Sequence, residues 1–214
     1  AVDSNYIANQ CMDATGNKIN NDTALCQSAN IAIDGTGRIS FDNGLQNLGQ
    51  TNTAGYDINL AYTFEGLGLD WKAGLDTSII DKYEEFDQDG VAIDYLGFIT
   101  SGSGSYAKLK TNFNLTATGD GWSTTYEARY IDGMDSFSCK DDPSECYAPS
   151  VDSVIYHDLS ANYDLTNTIR LSGGVNNIFD EQPPYYSGNN DSNTDPYTYD
   201  VLGRFFFVRA SVKF

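Results

Sequence analysis

The chain has 214 residues, a formal net charge of −18 and an isoelectric point near 4.1. This acidity argues against nucleic-acid binding, because a phosphate backbone needs a basic surface to neutralise it. Mean hydropathy is −0.40, and no stretch approaches the roughly 20 consecutive apolar residues that a transmembrane helix requires. The chain is rich in Tyr (15), Phe (11) and Gly (20) and poor in Met (2), which favours aromatic-rich strands.

Residues 1–52 are predicted to be one long polar connection, with Gly, Asn and Asp throughout. The opening Ala1-Val2-Asp3 is neither basic nor followed by an apolar run, so it is not a signal peptide. We therefore expect the chain to be a fragment that begins inside a loop. Residues 53–214 form the second predicted region, which contains the regular structure.

Four cysteines fall in two polar connections, Cys11 and Cys26 in the first and Cys139 and Cys146 in a later one. Four cysteines allow three pairings, which sequence cannot distinguish, but local pairing within each connection is the simplest. Disulfides of this kind indicate an oxidising compartment. Zinc is the alternative, disfavoured because no C-x2-C spacing exists and the one histidine, His157, lies within a predicted strand.

Seven segments after residue 52 alternate between apolar and polar side chains. A period of two predicts β-strands with one apolar and one polar face. The closing segment shows it most clearly, because Phe206, Val208, Ala210, Val212 and Phe214 alternate with polar residues. The apolar rows of the other six begin at Tyr56, Leu69, Ala107, Trp122, Ile155 and Ile169.

The polar rows carry charges that could not face lipid, where a Lys or Arg at mid-membrane costs roughly 2–4 kcal/mol. These rows are therefore expected to line a wet interior. The predicted inward-facing charges are Asp57, Asp76, Lys108, Lys110, Glu127, Arg129, Asp158, Arg170 and Arg209.

Short and long connections alternate along the chain. Residues 65–68, 118–121 and 164–167 are predicted tight turns, whereas 80–104, 131–152 and 180–203 are long. This alternation is typical of a transmembrane antiparallel β-barrel of a bacterial outer membrane, with turns on the periplasmic side and loops outside. A soluble secreted β-sandwich is the alternative, but it gives no reason for the aromatic residues near the short turns.

Three stretches carry a resemblance to a known family. Leu171-Ser-Gly-Gly-Val-Asn-Asn-Ile-Phe-Asp-Glu-Gln-Pro-Pro184 resembles the penultimate strand of TonB-dependent outer-membrane receptors, where a V-x-N-L-F-D-like run ends the strand. The stretch from Asn189 to Val208 resembles their last outer loop and closing strand, and Asn52 to Tyr62 resembles an earlier strand. The resemblance implies an all-β fold in which this chain supplies the last seven strands of a 22-stranded barrel.

The resemblance also implies partners and a location. The N-terminal plug and earlier strands would lie outside this chain, and the TonB complex would contact that missing plug. Outer-membrane lipid, lipopolysaccharide and a small-molecule nutrient would be the other partners. The location would be the outer membrane of a Gram-negative bacterium, with the long loops extracellular.

The function that follows is energised uptake of a scarce nutrient. The acidic loops favour an oligosaccharide or another neutral or cationic solute, with a ferric siderophore or cobalamin as the alternative. A surface adhesin, a docking barrel without transport and a passive porin are further alternatives. Tyrosine gives contact area at small entropic cost, and the candidate binding residues are Tyr83, Tyr95, Tyr147, Tyr185, Tyr186 and Tyr197.

Catalysis finds no support, because no nucleophile motif or phosphate loop is present. We expect no enzymatic activity and no cofactor. Asp191, Asn193 and Asp195 have the spacing of a calcium loop, but Pro196 replaces the expected Gly and the distal Glu is missing. Calcium therefore stays a weak candidate beside a solvated acidic loop.

Overall fold

The computed structural model describes residues 11–12, 19, 26–27, 29–40, 50–86, 90–100, 104–186 and 193–213. Two 3₁₀ helices, Phe137–Cys139 and Pro143–Glu145, lie between strands. In this part of the chain, no helix is long and apolar enough to cross a membrane. The strands are β1 (Ala32–Ile33), β2 (Ile39–Ser40), β3 (Thr51–Gly66), β4 (Leu69–Phe86), β5 (Ala92–Asp94), β6 (Phe98–Ile99), β7 (Leu109–Gly119), β8 (Trp122–Ile131), β9 (Met134–Ser136), β10 (Ser150–Val151), β11 (Val154–Asp164), β12 (Ile169–Asn176) and β13 (Phe205–Val212).

The chain divides into two compact units, residues 1–50 with 86–91, and residues 51–85 with 92–214. In the first unit, β1 and β2 form an antiparallel hairpin, and Cys11 is bonded to Cys26. The Asp34 carboxylate closes the hairpin turn by accepting hydrogen bonds from the backbone N–H groups of Thr36 (2.8 Å) and Arg38 (2.9 Å). A hydrogen bond from the Thr36 hydroxyl, together with these two backbone bonds, lowers the pKa of Asp34.

The second unit is built on a sheet whose neighbouring long strands run antiparallel, in the order β13-β12-β11-β8-β7-β4-β3. Each of these strands pairs with the next one along the chain, so the sheet is an up-and-down meander. The short strand β5 adds to β4. The seven strands predicted from the period-two pattern are therefore confirmed, as is the antiparallel all-β fold.

Tight turns join these strands at one end of the sheet. Leu67 and Gly68 link β3 to β4 with positive φ angles of 56° and 74°, as a two-residue primed turn requires. Asp120 and Gly121 link β7 to β8, and residues 165–168 link β11 to β12. These are the connections that the sequence predicted to be short.

One face of the sheet, which we call the apolar face, carries the predicted apolar rows and is exposed. Tyr62 is 68% exposed, Leu60 59% and Val208 88%. An exposed apolar area this continuous is a contact surface for lipid or another apolar partner. Phe214, the last member of the closing row, lies outside the described residues.

Polar groups on the apolar face satisfy one another within the sheet. The hydroxyls of Thr77 and Thr111 lie 3.2 Å apart on neighbouring strands, and the Thr124 hydroxyl donates to the Ser160 carbonyl at 3.0 Å. Trp71 Nε1 donates to the Gly66 carbonyl at 2.9 Å. Such pairing is what a face turned to hydrocarbon needs, because an unsatisfied polar group there is costly.

The opposite face, the polar face, carries charged and amide side chains in cross-strand register. Asn59 pairs with Asp76, which pairs with Asn112 and, through it, Arg129. Phe207 shares this face and packs over Gly174, where an added Cβ would come within 2.7 Å of the ring. A glycine is therefore required at that position.

The strand β4 is longer than the sequence predicted, since residues 80–86 were expected to begin a long loop. Its register with β3 shifts between Ala54 and Gly55, so that Ile80 pairs with Gly55 but Lys82 pairs with Ala54. This bulge leaves Asp81 as an extra residue and reverses the alternation beyond it. Tyr83 consequently lies on the polar face, although a strict period of two would place it on the apolar face.

Candidate functional site

Three connections at the end opposite the tight turns pack together, namely those that follow β4, β8 and β12. We call this ordered region the cap. Strand β9 pairs with β10 and β6 in a small sheet that joins two of these connections. Buried apolar side chains fill the space beneath, and we call them the loop core. They are Ile99, Ala107, Ile131, Met134, Val151, Val154, Tyr156, Tyr186 and Tyr199.

Tyrosine hydroxyls and a carboxylate tie the connections to each other. The Tyr186 hydroxyl donates to the Ile99 carbonyl at 3.4 Å, and the Ser105 hydroxyl donates to the Asp195 carboxylate. Asp195 is 4% exposed and also accepts from the Tyr197 N–H at 3.0 Å. Burial raises the pKa of Tyr186. The cap is therefore held by long-range contacts that local sequence patterns do not reveal.

The weak calcium candidates divide between described and undescribed positions. Asp191 lies outside the described residues, and the side chain of Asp195 is occupied by Ser105 and Tyr197. Asn193 adopts a positive φ of 52°, and its carbonyl accepts from the Tyr186 N–H at 2.8 Å. Among the described residues, no cluster of His, Cys, Asp or Glu could hold a metal ion.

The aromatic cluster, which we define as Tyr83, Tyr95, Phe98, Tyr106 and Phe137, runs from the polar face of β4 into the cap. Tyr83 stacks on Tyr106 with 4.1 Å between ring centroids, Tyr106 lies 5.8 Å from Tyr95, and Tyr95 lies 4.6 Å from Phe137. Burial, with the nearby Glu85 carboxylate, raises the pKa of Tyr95. Lys140 Nζ lies 5.2 Å from the centre of the Phe98 ring, a cation–π contact.

Two of the predicted binding residues, Tyr147 and Tyr185, form an exposed pair that we call the tyrosine pair. Tyr147 is 89% exposed and Tyr185 49%, and their rings meet edge to face at 5.8 Å. The Cys139–Cys146 disulfide immediately precedes Tyr147, and buried Tyr186 follows Tyr185. The pair is therefore exposed, and each ring lies next to a residue that is disulfide-bonded or buried in the loop core.

The other predicted binding residues take different places. Tyr186 is 1% exposed inside the loop core, so its ring is not available to a solute in this structure. Tyr197 is 94% exposed. Tyr83 and Tyr95 are half-buried in the aromatic cluster. The cap thus separates six tyrosines that look alike in sequence into buried, stacked and exposed members.

The predicted inward-facing charges share the polar face by strand register, with one exception. Asp57, Asp76, Lys110, Glu127, Arg129, Asp158, Arg170 and Arg209 follow the alternation of their strands. Lys108 lies just before β7, and its side chain runs along Gly97 in the cap.

Arg129 does not pair with Glu127, which lies two residues before it on the same strand. Its guanidinium contacts Asp158 on the adjacent strand, with Nε 3.4 Å from Oδ2, and also the carboxylate of Asp200 in the last loop. Asp158 lies diagonally across from Arg129, because the direct cross-strand partner of Arg129 is Tyr156 and that of Asp158 is Glu127. A diagonal neighbour is within reach of a long side chain. The sequence signal for Asp200 is absent because it lies 71 positions away.

The Asn-Asn-Ile-Phe-Asp run, which the resemblance placed at the end of the penultimate strand, begins at the last residue of β12 and forms a closed turn. Asn177 has a positive φ of 53°, is 1% exposed, and exchanges two 2.8 Å hydrogen bonds with the backbone of Glu181. Its N–H donates to Asp158 at 2.7 Å, and Asp180 accepts from the Arg204 N–H at 2.8 Å. The conformation explains why Asn, which tolerates positive φ, stands there.

Both local disulfides predicted from the sequence are confirmed, Cys11 with Cys26 and Cys139 with Cys146. The family model for the β-barrel of TonB-dependent receptor-like proteins matches residues 4–178. That match covers most of the chain. The chain belongs to the TonB-dependent receptor family. Its place in an outer-membrane β-barrel is thereby confirmed, and the family consists of receptors rather than enzymes.

Comparison with solved structures finds similar chains of low identity. A mutant of the ferric enterobactin receptor PfeA of Pseudomonas aeruginosa is 16% identical, with a TM-score of 0.49 over 76% of this chain and 22% of its own. The ferric-catecholate import receptor Fiu of E. coli K12 is 20% identical, with a TM-score of 0.42 over 87% of this chain and 24% of its own. The copper transporter OprC is 15% identical, with a TM-score of 0.41 over 78% of this chain and 29% of its own.

The chain therefore spans less than a third of each of these structures. No curated protein sequence matches the chain.

Proposed function

We propose that this chain supplies the last seven strands and the outer loops of a receptor that takes up a scarce nutrient with energy delivered through TonB. The family match carries this proposal. It is supported by a sheet with an exposed apolar face, a charged opposite face and an ordered aromatic cap at one end. The plug, the remaining strands of a 22-stranded barrel and the TonB complex would be partners of this chain.

The cap is proposed to be extracellular, with the polar face lining the lumen. The tight turns all lie at the other end of the sheet, which is the periplasmic end in barrels of this type. Both disulfides lie in long connections, which fits an oxidising exterior.

Impermeant thiol labelling tests this orientation. After mild reduction of whole cells, we expect labelling of all four cysteines, whereas a cysteine introduced at Asp120 in a tight turn should react only in lysed cells. Labelling of the Asp120→Cys variant in intact cells, with the native cysteines unlabelled, would reverse the proposed orientation.

We propose that the solute is neutral or cationic, with an oligosaccharide as the leading class. Carboxylates dominate the cap, and the basic residues of its described segments are Lys108, Lys140 and Arg204. Lys140 is turned toward the Phe98 and Phe137 rings. An anionic iron chelate would therefore meet a repulsive surface here.

The tyrosine pair is the proposed contact for the solute in this part of the receptor, together with exposed Tyr197. A fixed aromatic edge-to-face pair offers two apolar ring faces and two hydroxyls, which suits a sugar ring with an apolar face and polar rim. Half-buried Tyr83 and Tyr95 would contribute from the aromatic cluster at the lumen side.

Binding measurements on the intact purified receptor test this contact. Tyr147→Ala with Tyr185→Ala should weaken solute binding by roughly 1–3 kcal/mol, as truncation of an aromatic anchor does. Tyr163→Ala is the matched control, because Tyr163 is 53% exposed at the far, tight-turn end of the sheet. If the unmodified receptor, the double variant and Tyr163→Ala bind the solute equally, the tyrosine pair is not part of the binding site.

The solute class is tested by a screen of oligosaccharides, ferric siderophores and cobalamin against the same receptor. Uptake that stops when TonB is deleted would support transport, whereas cell adhesion that persists without TonB would favour an adhesin or docking role. Tight binding of an anionic ferric chelate would overturn the proposed solute class and leave energised uptake intact.

A further inference from the structure

The end of the last loop, which we call the return segment (residues 193–204), is fastened to the sheet through Arg129. Arg129 stands on the polar face of β8, and its two terminal nitrogens contact the two carboxylate oxygens of Asp200, with Nη1 3.5 Å from Oδ1. A planar guanidinium binds a carboxylate in this two-point manner, which fixes orientation as well as distance.

A second contact fixes the same residue of the return segment. The Asp200 N–H donates to the Tyr156 hydroxyl at 3.3 Å, and Tyr156 is completely buried in the loop core. The Arg129 guanidinium lies 5.2 Å from the centre of the Tyr156 ring. Both the main chain and the side chain of Asp200 are therefore held by two neighbouring residues of the sheet.

Arg129 also links the return segment to the turn after β12. Its Nε lies 3.4 Å from one oxygen of Asp158, and the other oxygen of Asp158 accepts from the Asn177 N–H at 2.7 Å. Asp180 in the same turn accepts from the Arg204 N–H. The two ends of the last loop are thus joined through one guanidinium and three carboxylates, those of Asp158, Asp180 and Asp200.

Tyr199, next to Asp200, opposes this docked arrangement. It is 3% exposed, and its hydroxyl has no hydrogen-bond partner among the described residues. Burial raises the pKa of Tyr199, so the hydroxyl stays protonated and keeps a hydrogen to donate. A buried hydroxyl without a partner penalises the docked state, whereas in water the same hydroxyl would be solvated.

The fastening is also accessible to solvent. The side chains of Arg129 and Asp200 are 35% and 37% exposed, so water and salt screen their attraction. The docked state therefore combines a specific, breakable ion pair with a built-in penalty.

We propose that Arg129 is a positioning residue that latches the return segment to the barrel wall. The Tyr199 hydroxyl, which has no hydrogen-bond partner among the described residues, keeps this latch reversible. Release frees the return segment, which carries exposed Tyr197, from the polar face. The part of this inference that concerns solute passage rests on the proposed uptake function, whereas the latch itself does not.

Hydrogen exchange on the intact receptor in detergent measures the latch without any solute. In Arg129→Met, peptides covering 193–204 should exchange faster by about tenfold, because a charge-assisted contact is lost and two carboxylates lose their partner. In Tyr199→Phe the same peptides should exchange more slowly, by about fivefold, because the penalty is removed. The two substitutions are therefore expected to change the exchange rate of 193–204 in opposite directions.

Arg170→Met is the matched control for loss of an ion pair. Arg170 contacts both oxygens of Asp164, at 2.6 and 2.9 Å, at the tight-turn end of the sheet. It should leave exchange of 193–204 unchanged. Equal acceleration by Arg170→Met and Arg129→Met, or no acceleration by Arg129→Met, would overturn the latch.

Conservative replacement and uptake separate positioning from simple structural support. Arg129→Lys keeps the charge but not the two-point geometry, so exchange should fall between the unmodified receptor and Arg129→Met. Tyr199→Phe should lower the maximal uptake rate about threefold with little change in half-saturation, because a tighter latch opens less often.

The outcomes distinguish the latch from the proposed function. Unchanged maximal uptake in Tyr199→Phe, despite slower exchange, would overturn the role of release in solute passage. Absence of TonB-dependent uptake in the unmodified receptor would instead overturn the proposed function, and the exchange results would still decide the latch.

Discussion

Replacing Leu60 by Arg should destabilise the folded barrel by roughly 2–4 kcal/mol, the cost of a cation on the lipid side near mid-membrane. Leu60 lies in the middle of β3, is 59% exposed and pairs across the sheet with Leu75 on the apolar face. The full receptor, unfolded in urea and refolded into lipid vesicles, gives the free energy of unfolding. The level of folded protein in the outer membrane should fall in parallel.

Asn59→Arg is the control one residue earlier. Asn59 lies on the polar face opposite Asp76, so a new guanidinium there would meet a carboxylate and should change stability by less than about 0.5 kcal/mol. Because the side-chain period is two, the two substitutions sample opposite faces of one strand. A larger loss for Asn59→Arg than for Leu60→Arg would show that the faces are assigned the wrong way round.

The strands could be predicted because their pattern is local and repeated. Each apolar face is written into alternate residues, as at Tyr56, Ile58 and Leu60, and each tight turn carries Gly, Asn or Asp. The registers observed, such as Ala128 opposite His157, keep the predicted apolar rows on one face. The register can be predicted from the sequence because a slip of one residue would turn every charge to the wrong face.

The bulge in β4 could not be predicted from the same pattern. From Ile80 to Glu85, each of the two rows of alternate residues contains one large apolar or aromatic side chain, Ile80 in one and Tyr83 in the other. Which row lies on the apolar face depends on pairing with Thr51–Ala54. The position of Tyr83 on the polar face is therefore a tertiary result. It places Tyr83 against Tyr106 and its hydroxyl 3.1 Å from Glu85.

The cap resisted prediction for a related reason. Sequence marks Tyr147, Tyr185 and Tyr186 alike as aromatic residues in polar loops, although their exposures are 89%, 49% and 1%. Burial of Tyr186 depends on Ile99, 87 residues away, and on the small sheet formed by β6, β9 and β10. Loop positions lack a period, so only the folded arrangement separates packing residues from exposed ones.

Truncation of Tyr186 should therefore destabilise the cap, whereas truncation of the adjacent Tyr185 should leave its stability almost unchanged. Tyr186→Ala removes a fully buried ring from the loop core and should destabilise the cap by about 3–5 kcal/mol, the usual cost of deleting a buried aromatic side chain. The loss falls on the cap because the Tyr186 hydroxyl bonds to Ile99 in another connection and the ring is buried in the loop core. Limited proteolysis of the intact receptor should show rapid cleavage within 132–153 and 193–204, with the barrel strands still protected.

Tyr185→Ala is the matched control, because it removes the same side chain from the neighbouring exposed position. It should change proteolytic protection by less than about 0.5 kcal/mol while weakening solute binding as described above. Tyr186→Phe keeps the ring and loses the hydroxyl with its 3.4 Å hydrogen bond to Ile99, so it should restore most of the protection lost in Tyr186→Ala. Protection that is lost in Tyr185→Ala and kept in Tyr186→Ala would contradict the packing of the cap, since the exposed ring would then be the one that holds the loops together.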